Sequence, residues 1–107
     1  WETAAQNAAI ASTREIAAKL LTELGLGAEL DKYPKELSGG MKRRVSIARA
    51  LAAKADVYIM DEPFKGLDPE TRSAVFGVIR RRTEGALLIM VTHDPIDAEC
   101  ADMRIDL

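Results

Sequence analysis

Apolar residues recur along this chain at two different spacings. Ile16, Leu20 and Leu24, with Ala17 and Leu21 beside them, fall at helical intervals and make one apolar face. Ser12-Thr13-Arg14-Glu15, just ahead, has the form of a capping box, in which the Ser and Glu side chains satisfy the first free amides. Gly25 supplies the stop, and Gly27 loosens the connection. The alanine-rich opening, Trp1 to Ala11, shows no clear period, and its composition favours helix. From Asp31 to Gly40 the chain reads as loop, broken by Pro34 and the Gly39-Gly40 pair. A second helix is expected from about Gly39 to Lys54, with Met41, Val45, Ala48 and Ala52 on one side.

The pattern then changes. Val57-Tyr58-Ile59-Met60 is a continuous apolar run, the kind that suits a strand of a parallel sheet covered on both faces. Asp68-Pro69-Glu70 starts the next helix, with Asp as cap, Pro in the first turn and an acid at the positive end of the dipole. That helix should turn Ala74, Val75, Val78 and Ile79 inward and end at Arg80-Arg81-Arg82, with Gly85 as its stop. Ala86 to Val91 reads as a second buried strand. Asp94-Pro95 opens a short helix to about Cys100, and Arg104 to Leu107 reads as a third strand. Strand, helix, strand, helix, strand behind a helical front segment is an α/β arrangement.

Composition bounds this picture. With 107 residues, 48% of them apolar, the chain supports one small domain and not two. Fifteen Lys and Arg against seventeen Asp and Glu give a net charge of −2, so nothing points to nucleic acid or to an anionic membrane surface. A single cysteine, Cys100, excludes an internal disulfide framework and fits a reducing compartment. The strictly apolar run from Ala86 to Val91 is far too short to span a bilayer, and no basic-then-apolar leader opens the chain. The first residue is Trp1, as expected of either a processed end or a piece of a longer chain.

Four motifs at element ends carry candidate chemistry. Leu37-Ser38-Gly39-Gly40-Met41 opens a helix, where free amides attract anions and two glycines leave room for a phosphate. Alone it reads as well as a Ser-capped helix after a Gly-Gly turn. Asp61 and Glu62 end the first strand, at the edge where α/β sheets bind ligands. There Asp61 suits Mg²⁺ held through water, and Glu62 suits accepting a proton from an attacking water. As an isolated pair they are more simply two solvated carboxylates before Pro63. Gly66-Leu67-Asp68 is a turn and cap. Val91-Thr92-His93 sets the sole histidine at the end of the second strand, facing the same crevice as Asp61 and Glu62.

Taken in order, the segments are specific. From about Ser12 to the end the chain resembles the ATP-binding cassette (ABC) ATPases of transporters. Leu37 to Met41 looks like the signature motif, Val57 to Glu62 like the Walker B strand, Gly66 to Asp68 like the D-loop and His93 like the switch histidine. Tyr33 to Leu37 and Ser46 to Leu51 add to the likeness. Trp1-Glu2-Thr3 and Met60 to Asp68 look most like importers of the nitrate, sulfonate and taurine type. The resemblance implies catalytic Glu62 and His93, nucleotide contacts at Ser38, Gly39, Gly40 and Asp68, Mg²⁺ at Asp61, and ATP as substrate. It also implies a head-to-tail partner cassette, a membrane permease and a cytoplasmic position at the inner face of the membrane.

Only the C-terminal portion of a cassette is matched. None of the seven glycines precedes a Lys, so the Walker A loop is absent, and Gln6, in the helical opening, does not suit the Q-loop. The expected organisation is part of the helical subdomain over 1–54 and the end of a RecA-like P-loop NTPase core over 55–107. Its parallel sheet should lack the Walker A strand, leaving Ala86–Val91 with a bare edge prone to self-association. Without a phosphate cradle the isolated chain should not hydrolyse ATP. Two alternatives fit the same residues. One is a non-catalytic half-cassette that completes a partner's site in trans. The other is the head of a chromosome or DNA-repair ATPase, whose coiled-coil insertion is not seen here.

Overall fold

The structure, a computed structural model, describes Ala4 and residues 14–106. The Trp1 to Ala11 helix (Ala4 apart), the Ser12 half of the capping box and Leu107 lie outside the described residues. Helix α1 (Arg14–Glu23) is followed by two 3-10 turns, Gly27–Glu29 and Pro34–Glu36, and then by helix α2 (Gly39–Ala52). Strand β1 (Val57–Asp61), helix α3 (Pro69–Arg82), strand β2 (Leu87–Val91) and the short helix α4 (Pro95–Ala98) complete the order. The class is α/β, as expected. β1 and β2 pair in parallel, from Val57 opposite Leu87 to Asp61 opposite Val91.

One apolar cluster runs through the molecule. Ala17, Leu20, Leu21 and Leu24 of α1 and its C-terminal edge meet Val45, Ile47, Ala48 and Leu51 of α2. Tyr58 and Met60 of β1 and Val75, Val78 and Ile79 of α3 continue it. The buried stripes differ in phase from those expected. Ile16 is 46% exposed, because the α1 stripe is centred one residue later, on Ala17 and Leu20. On α2, Ile47 and Leu51 join the core while Met41 and Ala52 stay at its margin. Ala74 is exposed, and α3 buries the stripe that begins at Val75. Gly39 and Gly40 are helical residues of the first turn of α2 and do not belong to the loop before it.

The strands are not covered on both faces. Along β1 burial alternates, so Tyr58 and Met60 are buried while Val57 and Ile59 are exposed, Ile59 to 70%. Leu87, Ile89 and Val91 stand on the same open face of β2. The unbroken apolar runs matched a two-sided environment, but here the helices pack against one side only. Ala86 lies in the turn that ends α3 and not in β2, its amide donating to the Thr83 carbonyl at 2.9 Å. Residues 104–106 form no strand. Among the described residues the sheet has two strands, and the outer edge of β2 pairs with none.

Two polar ties fix how the layers meet. The Tyr58 hydroxyl donates to the Ala53 carbonyl at 3.0 Å and accepts from the Ala55 amide at 3.2 Å, pinning the passage from α2 into β1. Tyr58→Phe keeps the ring but leaves both groups unpaired. Its urea midpoint should fall by an amount equivalent to about 1 kcal/mol.

Glu23, at the end of α1, pairs with Arg81 at 3.1 Å and with Arg82 at the end of α3. Burial alone would raise the Glu23 carboxyl. Hydrogen bonds from Arg82 and Arg81, with their positive charge, outweigh it and bring the carboxyl below its ordinary value. A lowered folded-state value stabilises the fold fully above the unfolded value and loses that stability as pH falls through the folded one. Glu23→Gln should therefore flatten the loss of stability below about pH 4.5 seen in acid denaturation. Arg81 is well exposed, so the effect at pH 7 should stay under about 1 kcal/mol.

Candidate functional site

The residues singled out from the sequence assemble into two groups. The first lies at the start of α2. Ser38 caps this helix, its hydroxyl oxygen accepting from the Met41 amide at 3.1 Å. That bond uses a lone pair and leaves the hydroxyl proton free to donate outward. Gly39 has open space where a Cβ would stand, whereas a Cβ on Gly40 would meet Leu67 at 3.3 Å. A side chain at Gly40 would therefore require Leu67, in the 66–68 turn, to give by a few tenths of an ångström. Gly66, at φ +81°, makes that turn.

Ser38, Gly39 and Gly40 form one wall of an open pocket of about 610 Å³. Asp68 and Thr71 stand across from them, and Arg43, Arg44 and Lys65 add three cations to the lining. The Asp68 carboxylate is already engaged as the cap of α3. It accepts from the Thr71 hydroxyl at 2.6 Å and from the Thr71 amide at 3.2 Å, and these bonds hold its carboxyl below the ordinary value. Helix-start amides, a serine hydroxyl and three cations make this pocket suited to an anion.

The second group is at the C-terminal ends of the two strands. Glu62 follows β1 directly. Its amide extends the ladder by donating to the Val91 carbonyl at 2.8 Å. Among the described residues Glu62 is the one non-glycine with positive φ, at +48°, a conformation that costs an ordinary residue about 1–2 kcal/mol. This turn directs its carboxylate across the strand ends, where Oε1 accepts from the His93 amide at 3.0 Å. The His93 Nε2 lies 3.8 Å from the same oxygen, and the imidazole is otherwise open to solvent. Asp61 adjoins Glu62 in sequence but projects on the open face of the sheet with Val57 and Ile59.

The turn carrying His93 is anchored from behind. Asp97 of α4 is buried, accepts from the Thr92 hydroxyl at 3.2 Å and pairs with Arg72 of α3 at 3.2 Å. Asp94 caps α4 through the Ile96 amide at 3.0 Å. Sequence reading picked out the cap but not the Arg72–Asp97 tie, because nothing in local spacing links residues so far apart. Sequence reading did not single out Arg43, Arg44 or Lys65. Arg44 also donates to the Leu24 carbonyl at 3.1 Å, satisfying the end of α1.

Among the described residues no cluster of three or more acidic, His or Cys side chains could hold a metal ion by itself. Asp61 is a single exposed carboxylate at the end of β1.

The ABC transporter family profile matches residues 1–65. The chain is 48% identical over 90 residues to the macrolide export ATP-binding/permease protein MacB of Syntrophobacter fumaroxidans, covering 82% of this chain and 13% of that protein. It is 45% identical over 82 residues to the methionine import ATP-binding protein MetN of Ralstonia nicotianae, covering 75% of this chain and 23% of the relative. In structure it is similar to a chain in the complex of archaeal ribosomal stalk protein aP1 with the archaeal ribosome recycling factor aABCE1. The TM-score is 0.75 at 33% identity, over 86% of this chain and 18% of that one. A structure described as RNase-L inhibitor gives a TM-score of 0.71, also at 33% identity, over 87% of this chain and 19% of its own. The chain thus spans less than a quarter of the length of each of these proteins. On sequence and fold alike, it belongs to the ABC transporter family.

Proposed function

We propose that the chain is the C-terminal portion of the ATP-binding, ATP-hydrolysing subunit of an ABC transporter. Residues 1–54 would belong to its helical subdomain and 55–107 to the end of its nucleotide-binding core. The observation that carries this reading is the division of site residues into two groups, Ser38 to Gly40 with Asp68 around the pocket and Glu62 with His93 at the strand ends. A head-to-tail pair of cassettes uses one group for each of two nucleotides. The open sheet face supports the reading too, since Val57, Ile59, Leu87, Ile89 and Val91 form a surface suited to burial under more chain.

In this reading Ser38, Gly39 and Gly40 hold the γ-phosphate of a nucleotide carried by the partner cassette. The Ser38 hydroxyl and the first amides of α2 donate to its oxygens as charge spreads over them. Glu62 serves the nucleotide on its own side. Its carboxylate, fixed by the His93 amide, accepts the proton of the attacking water, and the solvent-exposed His93 imidazole would hydrogen-bond the phosphoryl group. Asp61 would hold Mg²⁺ through water, and the ion would neutralise phosphate charge.

The whole subunit would sit against the inner face of the cell membrane beside a permease. Among the described residues no helix is long and apolar enough to cross a membrane. Within transporters, the run Met60 to Asp68 supports an importer of the nitrate, sulfonate and taurine type.

The test is turnover. A complete subunit carrying these residues together with a phosphate-cradling loop should hydrolyse ATP with Mg²⁺, and the 107-residue chain alone should not. Turnover by the purified chain, abolished by Glu62→Gln, would overturn the division of labour. A complete subunit without turnover would overturn the ATPase reading.

A further inference from the structure

The two groups of site residues share one side chain, Arg43. Its guanidinium lines the pocket at the start of α2 and also donates to the backbone carbonyl of Glu62. That carbonyl belongs to the residue held at φ +48°. Glu62 is doubly constrained, because it also precedes Pro63, whose ring pushes the preceding residue toward extended backbone. Relaxation to the extended form would swing the carbonyl away and carry the carboxylate off the His93 amide. The ladder bond to Val91 and the turn bond from the Lys65 amide, at 3.3 Å, both come from the strands and the turn themselves. Arg43 supplies the tie from a separate helix.

We propose that Arg43 is a positioning residue that holds Glu62 in its left-handed conformation and so keeps the carboxylate on the His93 amide. The start of α2 and the Glu62 carboxylate are thereby linked within one chain. The part assigned to Glu62 rests on the proposed ATPase reading. The experiment, however, reads backbone geometry alone, so failure of that reading would leave its result standing.

The test is amide hydrogen exchange and carbonyl ¹³C shifts on the 107-residue chain. In Arg43→Met the His93 amide should exchange at least about tenfold faster and the Glu62 carbonyl resonance should move. The amides of Val78 and Ile79 in α3 should keep their rates. Arg43→Lys, whose ammonium can reach the same carbonyl, should restore most of the protection. An unchanged His93 rate, or equal acceleration at Val78 and Ile79, would overturn the proposal.

A second measurement holds even where Arg43→Met is poorly folded. Glycine takes positive φ freely, so the loss caused by Arg43→Met should shrink in a Glu62→Gly background. Additive losses would overturn the assignment.

Discussion

Leu21→Ala is expected to cost the fold about 3 kcal/mol and to lower its melting temperature by more than about 10 °C. Leu21 is fully buried where α1 meets α2, and truncation there loses transfer free energy and leaves a cavity that two packed helices close poorly. Small domains hold only about 5–15 kcal/mol in total, so one such change removes a large part. Ile59→Thr provides the contrast. Ile59 is equally apolar but 70% exposed, and its replacement should shift stability by no more than about 0.5 kcal/mol. Circular dichroism melts of the two variants measure both effects. A loss at Ile59 as large as that at Leu21 would mean that the sheet face is covered in solution, by a second copy or by chain not described here.

That contrast also shows where sequence reading succeeds. Helix ends were legible because caps and stops are local chemistry. Ser38 accepts from Met41, Asp68 from Thr71 and Asp94 from Ile96, while Gly25 and Gly85 take positive φ at the stops. The parallel pairing of the two apolar runs followed from the helix between them. Their exposure did not, since Val57 and Ile59 read the same whether or not another layer covers them. Phase within a helix was only partly legible, because Ile16 and Ala17 differ by one position and tertiary packing chooses between them.

For the candidate site, the motifs gave residues but not groupings. Glu62 and His93 meet through side chain and backbone, and Ser38 to Gly40 meet Asp68 across a pocket. The supports were not visible in any motif. The Arg43–Glu62 and Arg72–Asp97 contacts join separate elements, and only the folded chain brings them together.

Glu62→Gln should separate chemistry from structure most sharply. In a complete subunit carrying these residues it should lower kcat by about 10²- to 10⁴-fold and leave KM for ATP nearly unchanged. The amide oxygen of Gln can still accept from the His93 amide, so the turn at 62 keeps its tie while the proton acceptor is lost. Melting temperature should therefore stay within a few degrees of the parent. Ser38→Ala should behave differently. It removes the cap of α2, costing about 1 kcal/mol, and it removes the hydroxyl that the proposed reading assigns to a partner's phosphate. Its kinetic defect should grow weaker when the two cassettes are covalently joined, because part of the loss is in bringing them together. If Glu62→Gln kept full turnover, the proton would have to go elsewhere. One candidate is the His93 imidazole, whose Nε2 lies 3.8 Å from Glu62 Oε1, and His93→Ala should then carry the loss that Glu62→Gln did not.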